Sequence, residues 1–425
     1  MILNRTLDAA ERLASQKTLR NYWAAFALGQ ACCGEATIQL MALAINIPDR
    51  VVAAMGAMNY AGFLALPLGI VLGGKLGAGK SMQLENYLAA LAALLLATSP
   101  WTHPILFWGA LLLFLVARAA NNAMRFPLQS HIAIPSEVPS MLSRNYVSFW
   151  GCTLLGCLAV SLTMQIFPGN GTLAAVFAAG SIFFICSGGF INRVKEPQEV
   201  KKLAEQKLSN QLKAAWQNPL VRHQIYAGCM INLFLAAVVP MNILCAKRGM
   251  DASDALIILL AAIQAMASVA GSVMVKHITN RCGPRKMMLI GYPLVWLIPL
   301  FWLLIPADAP RFVLVLPFIM GGMVLMALGT SLENYFLVTV PEKLQIGGTF
   351  LVFVVTGGCS GAAGMALNWL LFYLAENFCD SSSAMAPFRF YYAIVGALFA
   401  LGILAPWSLP GKAEEYRNMI RSKFE

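Results

Sequence analysis

Charged and amide side chains inside apolar stretches are the residues of this chain that could do chemistry. They concentrate in Leu111–Pro127, LLLFLVARAANNAMRFP. Arg118, Asn121, Asn122 and Arg125 stand at i, i+3, i+4 and i+7, so on an α-helix they form one polar stripe. If that helix crosses a bilayer the stripe cannot face lipid, because an arginine at mid-membrane costs roughly 2.5–3.5 kcal/mol on insertion scales. Acids in such stretches are sparse: Glu35 and Glu333, the latter sharing a face with Thr330 and Asn334. A carboxylate beside an arginine can carry a proton or balance the cation. The planar guanidinium fork can instead grip an anionic or multiply hydroxylated solute. Gln39, Asn121, Asn122, Asn232 and Gln264 would add hydrogen bonds, and Trp150 a stacking face. The plainer use of each lone amide is a hydrogen bond between helices, and a Glu35–Arg118 pair could equally staple two helices together.

The elements that must position these residues follow from composition. Of 425 residues 59% are apolar and 12% charged, and the mean hydropathy is +0.69. Soluble domains are nearer half apolar and a quarter charged. The first 20 residues are polar and mixed in charge, which is not a cleavable signal, and read as an amphipathic lead-in lying against headgroups. Apolar spans follow near 21–46, 50–73, 84–101, 104–127, 144–167 and 172–191, and again near 220–245, 252–276, 287–306, 311–338, 347–375 and 388–408. The expected fold is an all-α integral membrane protein with twelve transmembrane helices in two pseudo-symmetric six-helix bundles, 1–191 and 220–425, joined by a polar linker, 192–219. With the first residues inside, the cytosolic segments carry 25 of the 30 Lys and Arg and the opposite side 5. That bias places both termini and the linker in the cytosol, in a plasma membrane such as the bacterial inner membrane. It also accounts for the net charge of +11 without nucleic acid. On this count Glu35 lies about 14 residues, or about 21 Å, into the first span, and Arg118 lies at a similar depth in the fourth.

The halves repeat. Gly73–Lys80, GGKLGAGK, follows the second span and Lys276–Lys286, KHITNRCGPRK, the eighth; an offset of 206 residues aligns Gly77 with Gly283, Lys80 with Lys286, and Pro135 with Pro341. A parallel repeat of two six-span halves accounts for both landmarks. Glycine serves the tight turn, and cations hold it in the cytosol or cap helix C-termini.

On these residues the chain resembles the major facilitator superfamily, whose loop signature is approximately G-x-x-x-D-R-x-G-x-R-[KR]. Arg281, Gly283, Arg285 and Lys286 match it in the second half, with Asn280 where the acid belongs. In the first half Lys75, Gly77 and Lys80 match, and Gly74 replaces the acid. Arg118-Ala-Ala-Asn121-Asn122 is similar to the span-4 signature R-x-x-[QN]-G without its glycine. The antiporter signature G-P-x-x-G-G is absent around Gly151 and Gly156, which weakens a drug-export reading. The resemblance implies two six-span bundles with spans 1, 4, 7 and 10 around a cavity, and Glu35, Arg118 and Glu333 fall on three of them. It further implies a monomeric secondary transporter of a small organic solute by alternating access. Protons are the candidate coupling ion, and the seven matching loop residues belong to a cytosolic gate.

Other classes find less support. GKLGAGK lacks the spacing and hydroxyl of a phosphate loop. No nucleophile–base constellation marks an enzyme. The ten cysteines contain no CxxC pair and the four histidines are scattered, so neither metal nor cofactor is expected. A sensor or scaffold on the same fold would want a large soluble domain, and the longest polar segment spans about 27 residues. Multidrug or solute efflux remains an alternative within the transporter class.

Overall fold

The computed structural model describes residues 2–3, 7–133, 138–198, 200–201, 208–282, 284–339, 347–348, 350–379, 383–400, 402 and 404–409. Those residues are almost entirely helical. The exception is a two-residue parallel pairing of β1 (Ile2–Leu3) with β2 (Glu196–Pro197). Among the described residues nine helices are long and apolar enough to cross a membrane. They correspond to all the expected spans except the first, third and twelfth. The first is interrupted, the third carries Lys80, Glu85 and Asn86, and the twelfth is an apolar helix, Ala386–Ala400. The chain is therefore an all-α multi-pass membrane protein.

Contacts divide the chain into two compact units, Met1–Ile47 with Gly62–Lys207, and Pro48–Ala61 with Leu208–Glu425. The boundary expected between 191 and 220 is thus crossed by one segment, Pro48–Ala61, which groups with the second unit. The reason is close packing. A Cβ on Gly361 would lie 2.1 Å from the Ala61 nitrogen, and the Asn368 amide donates to the Ala53 carbonyl at 3.1 Å.

The first unit begins with α1 (Ala9–Cys32), whose N-terminus is a reciprocal capping box. Asp8 accepts from the Glu11 backbone at 2.7 Å, and Glu11 accepts from the Asp8 backbone at 3.2 Å. The expected separate lead-in does not exist, because residues 9–20 are the first three turns of the helix that becomes the first span. Leu7 and Leu19 are buried with Ile191, Val194 and Val200, the chain just after the sixth span. Burial against protein replaces the expected burial against headgroups. The helix stops at Cys33–Gly34 and resumes as α2 (Glu35–Ala44), so Glu35 occupies the first turn of a new helix. The second span ends in α3 (Leu66–Leu76), and α4 (Ala78–Ala97), α5 (Pro104–Ala123), α6 (Arg125–His131), α7 (Val138–Ile166) and α8 (Asn170–Ile191) follow. Aromatic rings fill the space between them: Phe26 and Phe114 each meet Phe184 edge-on at 5.7 Å, and Trp23 meets Phe149 at 5.7 Å.

The second unit carries α9 (Pro219–Leu244), α10 (Asp254–Cys282), α11 (Val315–Thr339), α12 (Ser360–Phe378) and α13 (Ala386–Ala400) among its long helices. Helices α10 and α11 approach to backbone distance, since a Cβ on Gly322 would stand 2.2 Å from the Gln264 carbonyl oxygen. A π-helical segment, Val352–Cys359, precedes α12. Asn242, Trp302, Tyr391, Tyr392 and Asn368 form a buried hydrogen-bonded core. Trp302 and Tyr392 both donate to the Asn242 oxygen at 2.7 and 2.9 Å, and Tyr391 donates to Asn368 at 2.7 Å.

The Gly77 turn between α3 and α4 has φ +85° and ψ 165°, a region open essentially to glycine alone. A Cβ there would also stand 2.4 Å from a Glu196 carboxylate oxygen. Gly77→Ala is expected to destabilise the protein by about 1–3 kcal/mol. Thermal unfolding of the purified protein checks this, with Lys80→Ala, an exposed neighbour, as the control that stays near wild type.

Candidate functional site

The break at Cys33–Gly34 and the polar stripe of α5 meet in the first unit. Arg118 is a half-buried residue whose guanidinium is within coulombic reach of the Glu35 carboxylate and the Cys33 thiol, and lies 5.4 Å from the Phe114 ring. Gln39, one turn beyond Glu35, donates to the Glu35 carboxylate at 3.3 Å. Its own carbonyl oxygen is buried and has no hydrogen-bond partner among the described residues. Glu35, Gln39 and Arg118 are thus brought together as a small charged cluster. Starting a helix at residue 35 puts the carboxylate at a helix N-terminus, where the dipole favours negative charge.

The rest of the stripe is differently employed. Asn121 is 4% exposed and spends both ends of its amide on protein: Tyr22 donates to its oxygen at 2.7 Å, and its nitrogen donates to the Met82 carbonyl at 3.2 Å. Asn122 donates to the Arg118 carbonyl one turn back at 3.1 Å. Arg125 stacks over Trp23 at 4.4 Å. One stripe therefore does three jobs along its length.

Trp150 does not join the charged cluster. Phe149 packs on Trp23, and Gly156 faces Ala31 with 2.6 Å to a built Cβ, so Trp150 stands about 9 Å from that level along α7. Its ring nitrogen is buried without a hydrogen-bond partner. The second unit holds the other expected residues. Asn232 donates to the Thr356 carbonyl at 2.9 Å and hydroxyl at 3.1 Å, tying α9 to the π-helical segment. Gln264 is partly buried on α10. Glu333 lies on α11, and its side chain is outside the described residues. Among the described residues no group of three or more His, Cys, Asp or Glu could hold a metal ion.

At the turns, Lys75 and Lys80 are exposed on either side of Gly77. In the second unit Arg285 donates to the Trp407 carbonyl at 2.9 Å and Lys286 is exposed, while Gly283 and the side chain of Arg281 lie outside the described residues.

Two acids escaped the sequence reading. Glu196, 1% exposed, reaches the start of α4 from the segment after α8 and accepts from the Gly79 N–H at 3.0 Å and from the Ala78 N–H. It supplies a carboxyl group at the turn where the loop signature has an acid and this chain has Gly74. Lys195 beside it donates to Glu11 at 3.0 Å and through its backbone to Ser15 at 3.3 Å. The acid comes from 117 residues beyond Gly79 in sequence, and no local motif announces that partnership. The second is Glu85, 1% exposed on α4. An acid in SMQLENYL was the available signal, but a third span begun at residue 84 put it at an edge.

The Major Facilitator Superfamily matches residues 24–365 of this sequence. Among solved structures, a mutant of the nucleoside transporter NupG is 13% identical with a TM-score of 0.69, covering 93% of this chain and 100% of that one. The E. coli xylose transporter XylE, in a partially occluded inward-open conformation, is 14% identical with a TM-score of 0.65, covering 95% and 100%. A bacterial homologue of the human drug peptide transporters PepT1 and PepT2 is 14% identical with a TM-score of 0.68, covering 97% and 99%. At such identities the likeness is one of fold. No curated protein matches the sequence.

Two measurements separate structure from function here. Asn121→Ala removes the acceptor of the buried Tyr22 hydroxyl and one of the two side-chain donors to the Met82 carbonyl, and is expected to cost about 1–3 kcal/mol of stability. A thermal midpoint equal to wild type would show the amide is not a staple. For Glu196, burial pushes the carboxyl up, against the lowering effect of the Gly79 and Ala78 N–H groups and Lys201. The folded protein therefore holds this proton more tightly than the unfolded chain. Stability from the group is full below the ordinary glutamate range of about 4.3 and declines as pH rises through the raised value. Thermal midpoints of wild type and Glu196→Gln, followed upward from that pH, are expected to show the decline in wild type and its absence in the variant.

Proposed function

Because the chain belongs to the Major Facilitator Superfamily, we propose that this transporter is a secondary carrier that moves a small organic solute past Glu35 and Arg118 by alternating access. The observation that carries the reading is the charged cluster itself. The guanidinium of half-buried Arg118 and a carboxylate stand together where two helix segments meet, beside an amide oxygen with no hydrogen-bond partner among the described residues. Polar side chains on membrane helices are ordinarily spent on protein, as Asn121 and Asn232 are. The guanidinium fork suits an anionic or multiply hydroxylated solute, and the Gln39 oxygen suits a donor on that solute. Glu35 is the proton carrier in this reading, releasing Arg118 for the solute when it takes a proton. The bias of 25 cationic side chains against 5 supports a plasma membrane orientation with both termini in the cytosol. The loops at Lys75–Lys80 and Arg281–Lys286 form the cytosolic gate.

Reconstitution into proteoliposomes with a panel of sugars, sugar acids and carboxylates, with and without an imposed pH gradient, tests the reading. Arg118→Ala and Glu35→Gln are each expected to lower uptake at least about tenfold, the value of a lost charge-assisted hydrogen bond. Full uptake by both variants at normal protein levels would make the cluster a structural staple. Accumulation that ignores the gradient would remove the proton.

A further inference from the structure

A second carboxyl group stands apart from the charged cluster. Glu85 is 1% exposed in the middle of the first unit, seven residues into α4 and so about 10 Å from its start. One of its oxygens accepts from the Ser81 hydroxyl at 2.9 Å. The other is fully buried and has no hydrogen-bond partner among the described residues. The groups around it are neutral or distant. From α1, the Tyr22 hydroxyl feels the Glu85 charge but donates its proton to Asn121. From α4 itself, Asn86 donates to the Met82 carbonyl at 2.6 Å, and from α8 the Ser187 hydroxyl donates to Asn86 at 3.2 Å. Arg125 of α6 acts on Tyr22 and lies over the Trp23 ring at 4.4 Å. No ion pair joins it to Glu85 among the described residues.

An ionised carboxylate buried with one hydroxyl partner and no cation is costly, whereas the neutral acid is only a buried polar group. The arrangement thus admits the acid form and penalises the anion. Helices α1, α4, α5 and α8 all contribute to this pocket, so any motion that parts them would admit water and reverse the preference. We propose that Glu85 is a proton-exchange site of the first unit, separate from the Glu35–Arg118 cluster, occupied while these helices are packed and emptied to water when they part. The exchange is a simple transfer: the carboxylate takes H⁺ from hydronium, leaving water, and returns it by the reverse step. Its place in coupling rests on the transporter reading; its occupancy does not.

Infrared spectra of the purified full-length protein at neutral pH decide the occupancy. Wild type is expected to show a carboxylic-acid C=O stretch that shifts in D₂O, is lost in Glu85→Gln, and is kept in Glu35→Gln. Ser81→Ala, which removes one neutral partner, is expected to move that band to higher frequency, and serves alone if Glu85→Gln does not fold. An unchanged acid band in Glu85→Gln, or an unshifted one in Ser81→Ala, overturns the proposal. In proteoliposomes with the same solute panel, Glu85→Gln is expected to retain exchange without a gradient and to lose the response to an imposed pH gradient. A full response in that variant overturns the coupling role. If no solute moves in wild type, the transport reading fails while the infrared band still settles Glu85.

Discussion

A bilayer offers no hydrogen-bond partner, so every polar group on a membrane helix must find one in the protein or line wet space. That constraint orders the polar side chains of this protein into two kinds. Asn121, Asn232 and Asn368 are spent: each joins its own helix to a neighbouring segment. Glu35, Gln39 and Arg118 are gathered at a helix break, with a buried amide oxygen left over. The staples tie helices together within each unit, and the gathered charges are the group on which the proposed solute path rests.

The helix break links these roles. A continuous first helix would satisfy the backbone groups at residues 33–38 internally and present Glu35 as one more side chain on a cylinder. Interrupting it at Cys33–Gly34 exposes a fresh N-terminus and gives the carboxylate a favourable field. Close packing surrounds the break: a Cβ on Gly180 would meet the Cys33 sulfur at 2.4 Å. The break is thereby held by tightly packed neighbours.

At the Gly77 end of the first unit the same economy appears in water-facing chain. The loop lacks the acid of the family signature, and Glu196 brings one to the start of α4 from a distant segment. The β1–β2 pairing and the Lys195–Glu11 ion pair hold that segment in place. Loop, leading helix and connecting segment therefore form one assembly, and the glycine at 77 is required by its backbone angles as much as by space.

Much of this was legible in the sequence. Apolar run length and cation bias set the membrane class and the order of helices, because lipid imposes the same requirement on every residue of a span. The spacing of Arg118, Asn121, Asn122 and Arg125 defined one helix face, and the similar depths of Glu35 and Arg118 followed from counting residues. What each polar group touches was not legible, because partners lie on other helices. Tyr22 and Asn121 are 99 residues apart, Asn232 and Thr356 are 124 apart, and Gly79 and Glu196 are 117 apart. Periodicity says which way a side chain points along its own helix; only packing says whether a partner waits there. Hence the sequence determined the fold class and the candidate charges. The tertiary structure alone decided that Arg118 joins Glu35, that Asn121 is spent on Tyr22, and that Glu85 lies buried with one oxygen unpaired.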